Sequence, residues 1–229
     1  MNTRPPRTRD GRTRDSRTRD KGRRESRLSR EERKQRTRHA IIDAALRLLA
    51  EDSFSGLSLR EVAREAGIVP GAFYRHFESM EAFGLVLIDE CFRSLRDMLR
   101  AARRELDPEH VIESSIDVLS RSVAEQRQHW RFIGRERNSG VTVLRYAIRT
   151  EIRLIASELA TDLARFPALN GWTTEDLNVL ASLFVNAMVQ IAEALEDAAD
   201  DATAWEEIRR TAVKQLRMIV VGVTGWRSR

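Results

Sequence analysis

The sequence predicts an all-α protein of about nine helices in two parts, an N-terminal three-helix unit and a C-terminal helical bundle. Three observations predict this fold class. Apolar residues recur at three- and four-residue spacings along most of the chain, helix-capping and helix-ending residues divide these stretches, and no stretch alternates with the two-residue period of a strand. The chain has 229 residues, of which 41% are apolar, so it can build one large or two modest cores.

The first 30 residues differ in composition from the rest. They contain twelve Arg or Lys and four acids, whereas the other 199 residues carry a net charge of −3. The motif RTRD occurs at residues 7–10, 12–15 and 17–20. Because so polar a segment buries too little surface to offset its ordering entropy, we expect residues 1–30 to be a disordered basic tail. A solvated spacer and an arm that follows DNA phosphates are both open interpretations.

Residues 31–78 are predicted to form the three-helix unit. One face of a first helix collects apolar side chains, namely Ile41, Ile42, Ala45, Leu48 and Leu49. A second, short helix begins at Ser58, whose hydroxyl can cap the Glu61 amide while Glu61 reaches back, and it ends at Gly67. Proline suits the first turn of a helix, so we expect a third helix over 70–77.

Residues 79–229 are predicted to form the bundle. Ser79 can cap a long helix that runs to about Leu106, and Pro108 begins the next one. Thr173 or Thr174 is expected to cap the penultimate helix. The remaining helices are expected over residues 108–124, 126–137, 141–165, 175–197 and 203–224.

Two short helices joined by a glycine-containing turn and supported by a longer helix place their last helix in the major groove of DNA. Phe73 and Phe77 are expected to pack inward. The residues predicted to face DNA are Ser58, Arg60, Val69, Pro70, Gly71, Ala72, Tyr74, Arg75 and His76. The small residues among them let the backbone approach base edges, and the polar ones suit phosphate contacts.

Residues 37–84, and above all the segment LSLREVAREAGIVPGAFYRHFESMEAFG, resemble the DNA-binding domain of the TetR-type repressors. The shared features are the glycine after the second helix, the small pair at 71 and 72, and the aromatic close Tyr74-Arg75-His76-Phe77. That family usually has Ser or Thr where Val69 stands and Lys near Met80. The resemblance implies a homodimer that binds a palindromic double-stranded DNA operator, and a C-terminal domain that takes a small-molecule effector.

The resemblance also implies dimerisation through the last two helices, which carry suitable apolar stripes. The stripe on the penultimate helix consists of Leu177, Leu180, Phe184, Met188, Ile191 and Leu195. The stripe on the last helix consists of Trp205, Ile208, Ala212, Leu216, Ile219 and Val223. Two such helices from each subunit would form a four-helix interface. Packing inside a single subunit is the alternative.

The candidate effector pocket is lined by Phe92, Leu95, Leu99, Ile116, Leu119, Val123, Trp130, Ile133, Leu144 and Ile148. The segment RFIGRERNSG at 131–140, together with residues 59–67 and 73–77, resembles the TetR-type regulators of unsaturated fatty-acid synthesis, which respond to long-chain acyl-CoA. This resemblance implies an apolar tunnel, with Arg135 or Arg137 pairing an anionic head group. A solvated ion-pair face is the alternative for both arginines.

Other functional classes have little support in the sequence. The four histidines show no metal-binding spacing, and the chain has neither a Gly-rich phosphate loop nor a G-x-S-x-G elbow, so we expect no enzyme, no metal and no cofactor. Cys91 has no internal disulfide partner, and we see neither an uninterrupted membrane-length apolar run nor a secretory signal, which indicates a cytoplasmic protein. A repressor of an efflux or detoxification gene that senses another lipophile, and a non-specific architectural DNA protein, stay as alternatives.

Overall fold

The computed structural model describes the backbone of residues 13–105 and 110–228 and the side chains of residues 29–99 and 110–228. Within these residues the chain forms nine α-helices and one short 3-10 turn, without a strand. The helices are α1 (Thr13–Leu48), α2 (Leu59–Glu65), α3 (Pro70–Phe73), α4 (Met80–Glu105), α5 (Val111–Glu125), α6 (Arg127–Glu136), α7 (Thr142–Leu163), α8 (Thr174–Asp197) and α9 (Ala202–Gly225). The predicted all-α fold class is confirmed.

Predicted caps stand at the starts of α2, α4 and α8 and at the end of α2. At the start of α2 the Glu61 amide donates to the Ser58 hydroxyl at 3.2 Å, and the Ser58 amide donates to the Glu61 carboxylate at 3.1 Å. Gly67 has a φ of 67° after α2, a conformation that costs glycine little. The Thr173 hydroxyl accepts from the Asp176 amide at 3.1 Å before α8. Local side-chain chemistry therefore determines where these helices begin and end.

The first helix begins much earlier than predicted. Its backbone is helical from Thr13, so the expected disorder does not describe residues 13–30, and residues 1–12 of the predicted tail lie outside the described residues. Within α1 the only glycine is Gly22, and no proline interrupts the segment. A helix that extends an existing one needs no new nucleus. Extension of a helix therefore depends on local helix preference and does not require the segment to bury apolar surface.

The third helix is shorter than predicted. It ends at Phe73, and the chain continues as a turn in which the amides of His76 and Phe77 donate to the Phe73 carbonyl at 2.9 and 3.1 Å. Val69 stands before this helix and supplies no side-chain cap. Helix α3 therefore begins without the side-chain cap that a Ser or Thr at this position would supply. The predicted helix start at Pro108 lies outside the described residues.

One apolar core joins the two parts of the chain. The rings of Phe73 and Phe77 pack against Phe83 of α4, with centroids 5.2 and 4.5 Å apart. The same cluster continues through Phe92 to Phe132 of α6. The predicted domain boundary at residue 78 thus falls inside a continuous core, and the first half of α4 belongs to both parts.

Helix α8 lies at the centre of the bundle, where it packs against α5, α6, α7 and α9. In the described part of the chain it is the one helix long and apolar enough to cross a membrane, with a mean hydropathy of 1.4 over 18 residues. We expected no such segment, because the chain has no uninterrupted apolar run of about 18 residues. On this helix Asn178, Asn186 and Gln190 interrupt the run, but the average over the window is still apolar. Ala181 and Leu195 are fully buried against neighbouring helices, as in the core helix of a bundle.

The bundle has two distinct ends. At the near end, Arg131 of α6 donates to the Ala50 carbonyl just after α1. At the far end, the Thr173 amide before α8 donates to the hydroxyl of Ser228 after α9 at 2.8 Å. Helices α6 and α8 therefore connect the three-helix unit with the interior of the bundle.

Candidate functional site

The residues predicted to face DNA surround the start of α2 and the length of α3, and we call them the DNA-reading surface. Val69 and Tyr74 are 70% and 62% exposed although they are apolar and aromatic. The other exposed members are Ser58, Arg60, Pro70, Gly71 and Arg75, and the half-buried members are Ala72 and His76. Two large exposed side chains beside small ones give a surface suited to groove contacts.

Arg38 of α1 supports this surface from behind. Its guanidinium lies 4.6 Å from the centroid of the Phe77 ring and donates to the His76 carbonyl at 3.2 Å. Burial lowers the pKa of His76, and the positive charges of Lys34, Arg38 and Arg75 lower this pKa further, so the imidazole is neutral near pH 7. Arg38 could not be recognised from the sequence, because its partners His76 and Phe77 lie 38 or more positions away in the chain.

A cavity of about 1610 Å³ runs through the bundle from the near end to the far end. Its walls are mainly apolar side chains from α4 to α9. Along α8 the lining extends from Leu180 to Asp197, which corresponds to roughly 25 Å of helix. Ligand pockets commonly measure about 300–1,000 Å³, so this cavity has room for a long apolar molecule.

Six of the ten residues predicted for the pocket line this cavity, namely Phe92, Leu95, Leu99, Leu119, Trp130 and Ile133. The other four are packed inside the apolar cores instead, and these are Ile116, Val123, Leu144 and Ile148. The pocket assignment is corrected for those four, since a helical stripe predicts burial without distinguishing a core from a cavity. Phe184 and Met188, which we had placed in the dimer interface, belong to the cavity wall.

Polar side chains are concentrated at the near end of the cavity. The lining there consists of Glu51, Arg131, Arg135, Asn138, Glu193, Glu196 and Asp197. The Arg131 guanidinium pairs with the Glu196 carboxylate at 2.6 Å, and Arg137 pairs with Glu193 at 2.9 Å. Each of these two carboxylates is therefore neutralised by an arginine of α6 or the turn after it.

Arg135 contacts main-chain carbonyls instead of a carboxylate. Its Nη1 donates to the carbonyl of Leu49 at 3.4 Å and to that of Asp52 at 3.1 Å. Arg131 donates to the Ala50 carbonyl at 3.4 Å. The carbonyls at a helix C-terminus carry partial negative charge and lack helical partners. Two arginines of α6 thus cap the end of α1 from across the domain junction.

Glu136 makes a second connection across the same junction. It is 1% exposed, and its Oε1 accepts from the Phe54 amide at 2.9 Å, while Oε2 has no partner among the described residues. The Phe54 ring lies so close to Gly84 of α4 that a Cβ there would be 2.7 Å from both the ring and Leu144. The segment between α1 and α2 is therefore fixed to α4, α6 and α7.

The stripes predicted for the dimer interface are directed into the subunit. Six of these residues are 8% exposed or less, namely Leu177, Leu180, Ile191, Leu195, Ala212 and Leu216. The others pack against the same cores or line the cavity, and these are Phe184, Met188, Trp205, Ile208, Ile219 and Val223. The outer faces of the two helices expose Val179 and Leu183 on α8, and Met218 and Val221 on α9, at 51–73%. The predicted interface stripes are therefore part of the interior of one subunit, and they do not supply exposed surface for a second one.

Residues 41–84 match the family described as bacterial regulatory proteins, tetR family. Among solved structures, a transcriptional regulator from Rhodococcus sp. Rha1 is 22% identical with a TM-score of 0.62, over 82% of this chain and 96% of that one. The fatty acid degradation regulator FadR from Bacillus halodurans is 19% identical with a TM-score of 0.61, over 79% and 96%. A transcriptional regulator from Aquifex aeolicus is 19% identical with a TM-score of 0.61, over 80% and 99%.

Proposed function

We propose that this chain is a TetR-type transcriptional regulator and not an enzyme, in keeping with the family match over residues 41–84. In this proposal it is a homodimeric repressor of genes of lipid metabolism, and its effector is a long-chain fatty acyl-CoA. The observation that carries the proposal is the long, apolar cavity of about 1610 Å³ behind the DNA-reading surface. A fatty acyl chain is elongated and apolar, so it matches both the length and the lining of this cavity.

Dimerisation supports DNA binding in this proposal. A palindromic operator presents two half-sites, and two recognition helices must reach major grooves about 34 Å apart. The outer faces of α8 and α9 supply exposed apolar side chains for the second subunit. Exposed apolar surface of this kind on a soluble protein often marks an interface. The dimer would work in the cytoplasm, where its DNA is.

A fatty acid degradation regulator is among the similar structures, but at 19% identity this similarity shows the fold alone.

The alternative is a repressor of an efflux or detoxification gene. The acidic side chains of Glu51 and Asp197 at the near end of the cavity favour a lipophilic cation as the effector in that case. The two alternatives differ in the charge of the molecule that the cavity takes.

Fluorescence anisotropy tests the proposal directly. The purified full chain is titrated into labelled DNA from upstream of its own coding sequence and into a scrambled control at physiological salt, with and without oleoyl-CoA, palmitoyl-CoA or tetraphenylphosphonium. We expect selective binding to the upstream DNA that one acyl-CoA changes by about fivefold or more. Selective binding that responds to the cation alone supports the efflux alternative, and binding without sequence preference contradicts a repressor.

A matched pair of variants links the response to the cavity. Leu95→Trp enlarges a side chain that lines the cavity, whereas Leu154→Trp makes the same change at a residue of α7 that is 48% exposed. We expect the first variant to lose the acyl-CoA response while it keeps DNA binding, and the second to behave as the unmodified chain. Equal responses in both variants would place the effector elsewhere.

A further inference from the structure

The geometry points to the near end of the cavity as the subsite for an anionic head group, which on binding withdraws Arg135 from the carbonyls at the end of α1. The inference rests on the proposed function, because it names the polar group of that effector and the switch it operates. The head group is a carboxylate or phosphate, and the apolar tail extends toward the far end.

Arg135 is the cation available to such a ligand. It lines the cavity, is exposed, and contacts carbonyl oxygens only. Of the four acids that line this end, Glu196 and Glu193 are paired with Arg131 and Arg137, which reduces their repulsion of an anion. Glu51 and Asp197 still oppose an anion, so the subsite depends on direct contact of the head group with Arg135. Arginine is well suited to carboxylates and phosphates because its guanidinium donates two parallel hydrogen bonds.

The far end offers less to an anion. Arg165 lines the cavity there, but its side chain is 76% exposed and pairs with Asp162 on the same turn at 3.4 Å. The remaining lining at that end is dominated by apolar residues, namely Val111, Ile112, Leu163, Phe166, Pro167, Leu169, Val220 and Val223. An amphipathic molecule therefore gains most when its polar group lies at the near end and its tail at the far end.

The contacts that the head group would replace are hydrogen bonds to uncharged carbonyls. Arg135 donates to the Leu49 carbonyl at 3.4 Å, near the upper limit for a hydrogen bond, and to the Asp52 carbonyl at 3.1 Å, an ordinary length. A carboxylate or phosphate can instead accept two parallel, shorter bonds from the guanidinium, with both partners charged. The end of α1 would lose part of its cap, and the following segment, which carries Phe54, leads directly into α2. Binding at the near end thus acts on the position of the DNA-reading surface.

Three probes with one acyl chain separate the head group from the tail. Oleate and oleoyl-CoA are anionic, and methyl oleate is neutral. Their binding is measured by calorimetry on the full chain, on Arg135→Met, and on the matched control Arg127→Met. Arg127 stands on the same helix, pairs with Asp200 at 2.8 Å and does not line the cavity.

We expect the unmodified chain and Arg127→Met to prefer oleate over methyl oleate by about tenfold, the worth of a charged hydrogen bond, and Arg135→Met to lose most of this preference. Arg135→Lys keeps the positive charge but lacks the two parallel donors of the guanidinium, so it should recover part of the preference for oleate. If all proteins bind oleate and methyl oleate equally, the subsite is refuted while the proposed function stands. If no lipid binds to any of them, the proposed function fails instead.

DNA binding tests the switch separately from the subsite. Arg135→Met without lipid should shift the affinity for upstream DNA in the same direction as oleoyl-CoA shifts that of the unmodified chain, and Arg127→Met should not. Circular dichroism melts verify that both variants are folded. A folded Arg135→Met that prefers neutral lipid yet binds DNA as the unmodified chain does, with a normal lipid response, would contradict the uncapping step.

Discussion

At the scale of single residues, two kinds of contact organise this chain, those between near neighbours in the sequence and those between residues far apart in it. The Ser58 and Glu61 capping pair and the left-handed Gly67 could be predicted because each depends on a few adjacent residues. The contact between Glu136 and Phe54 could not be predicted, since the two are 82 positions apart and nothing local marks either residue. Long-range polar contacts need the fold before they can be recognised.

Gly84 offers a test of the packing at the domain junction. A Cβ at this position would be 2.7 Å from atoms of both Phe54 and Leu144. We expect Gly84→Ala to cost about 2–3 kcal/mol through overpacking, against a gain of about 1 kcal/mol from its better helix preference. The free energy of unfolding, measured in urea, should therefore fall by about 1–2 kcal/mol.

The matched control is Gly134→Ala in the interior of α6, where the nearest heavy atom would be 3.9 Å away. It makes the same chemical change without a clash, so it should raise the free energy of unfolding by up to about 1 kcal/mol. A Gly84→Ala variant that is as stable as Gly134→Ala would mean that the segment around Phe54 moves aside without cost, and that the junction is looser than the contacts indicate.

At the scale of helices, periodicity predicted where the helices are but not what their apolar faces contact. The stripes on α8 and α9 form the interior of one subunit and part of the cavity wall. The opposite face of α8 mixes Glu175, Asn178, Val179, Ser182, Leu183 and Asn186. A mixed face of this kind gives little signal in the sequence, and it becomes recognisable only when the remaining helices are in place.

The outer face of α8 can be tested with one charge. Leu183 is 51% exposed, and Leu154 on α7 is 48% exposed, so they form a matched pair. We expect Leu183→Glu to raise the dimer dissociation constant by about tenfold or more, because the partner subunit would desolvate the carboxylate, whereas Leu154→Glu should leave it unchanged. Analytical ultracentrifugation measures both. If Leu154→Glu alone dissociates the dimer, the interface lies on α7 and the prediction for α8 is wrong.

At the scale of the whole molecule, the continuous core and the arginine cap make the three-helix unit and the bundle mechanically dependent on each other. An effector can change DNA affinity only through its differential affinity for two arrangements of the chain. In the proposed regulator this linkage is reciprocal, so operator DNA would change the affinity for the effector by the same factor. The sequence could not reveal this dependence, because it arises from residues on α1, α4, α6 and α7 that meet only in the folded chain.

The charge around His76 makes a last prediction about the whole molecule, the response of folding and DNA binding to pH. The pKa of His76 in the folded chain lies below its ordinary value of 6.5, first because of burial and then because of Lys34, Arg38 and Arg75. The unfolded chain therefore binds the proton more readily. The stability contributed by neutral His76 is present above pH 6.5 and is lost as pH falls through that value toward the lower folded pKa.

DNA should respond in the opposite direction, because a phosphate beside the imidazole favours its charged form and binding then takes up a proton. We expect the affinity for upstream DNA to rise, and the urea concentration at the unfolding midpoint to fall, as the pH is lowered from 7.5 to 5.5. Both changes should be smaller in His76→Gln than in the unmodified chain. His129, whose pKa is lowered mainly by burial in the bundle, serves as the control. His129→Gln should reduce the pH dependence of stability and leave that of DNA binding intact. Equal pH profiles of DNA binding in His76→Gln and the unmodified chain would remove His76 from the DNA-reading surface.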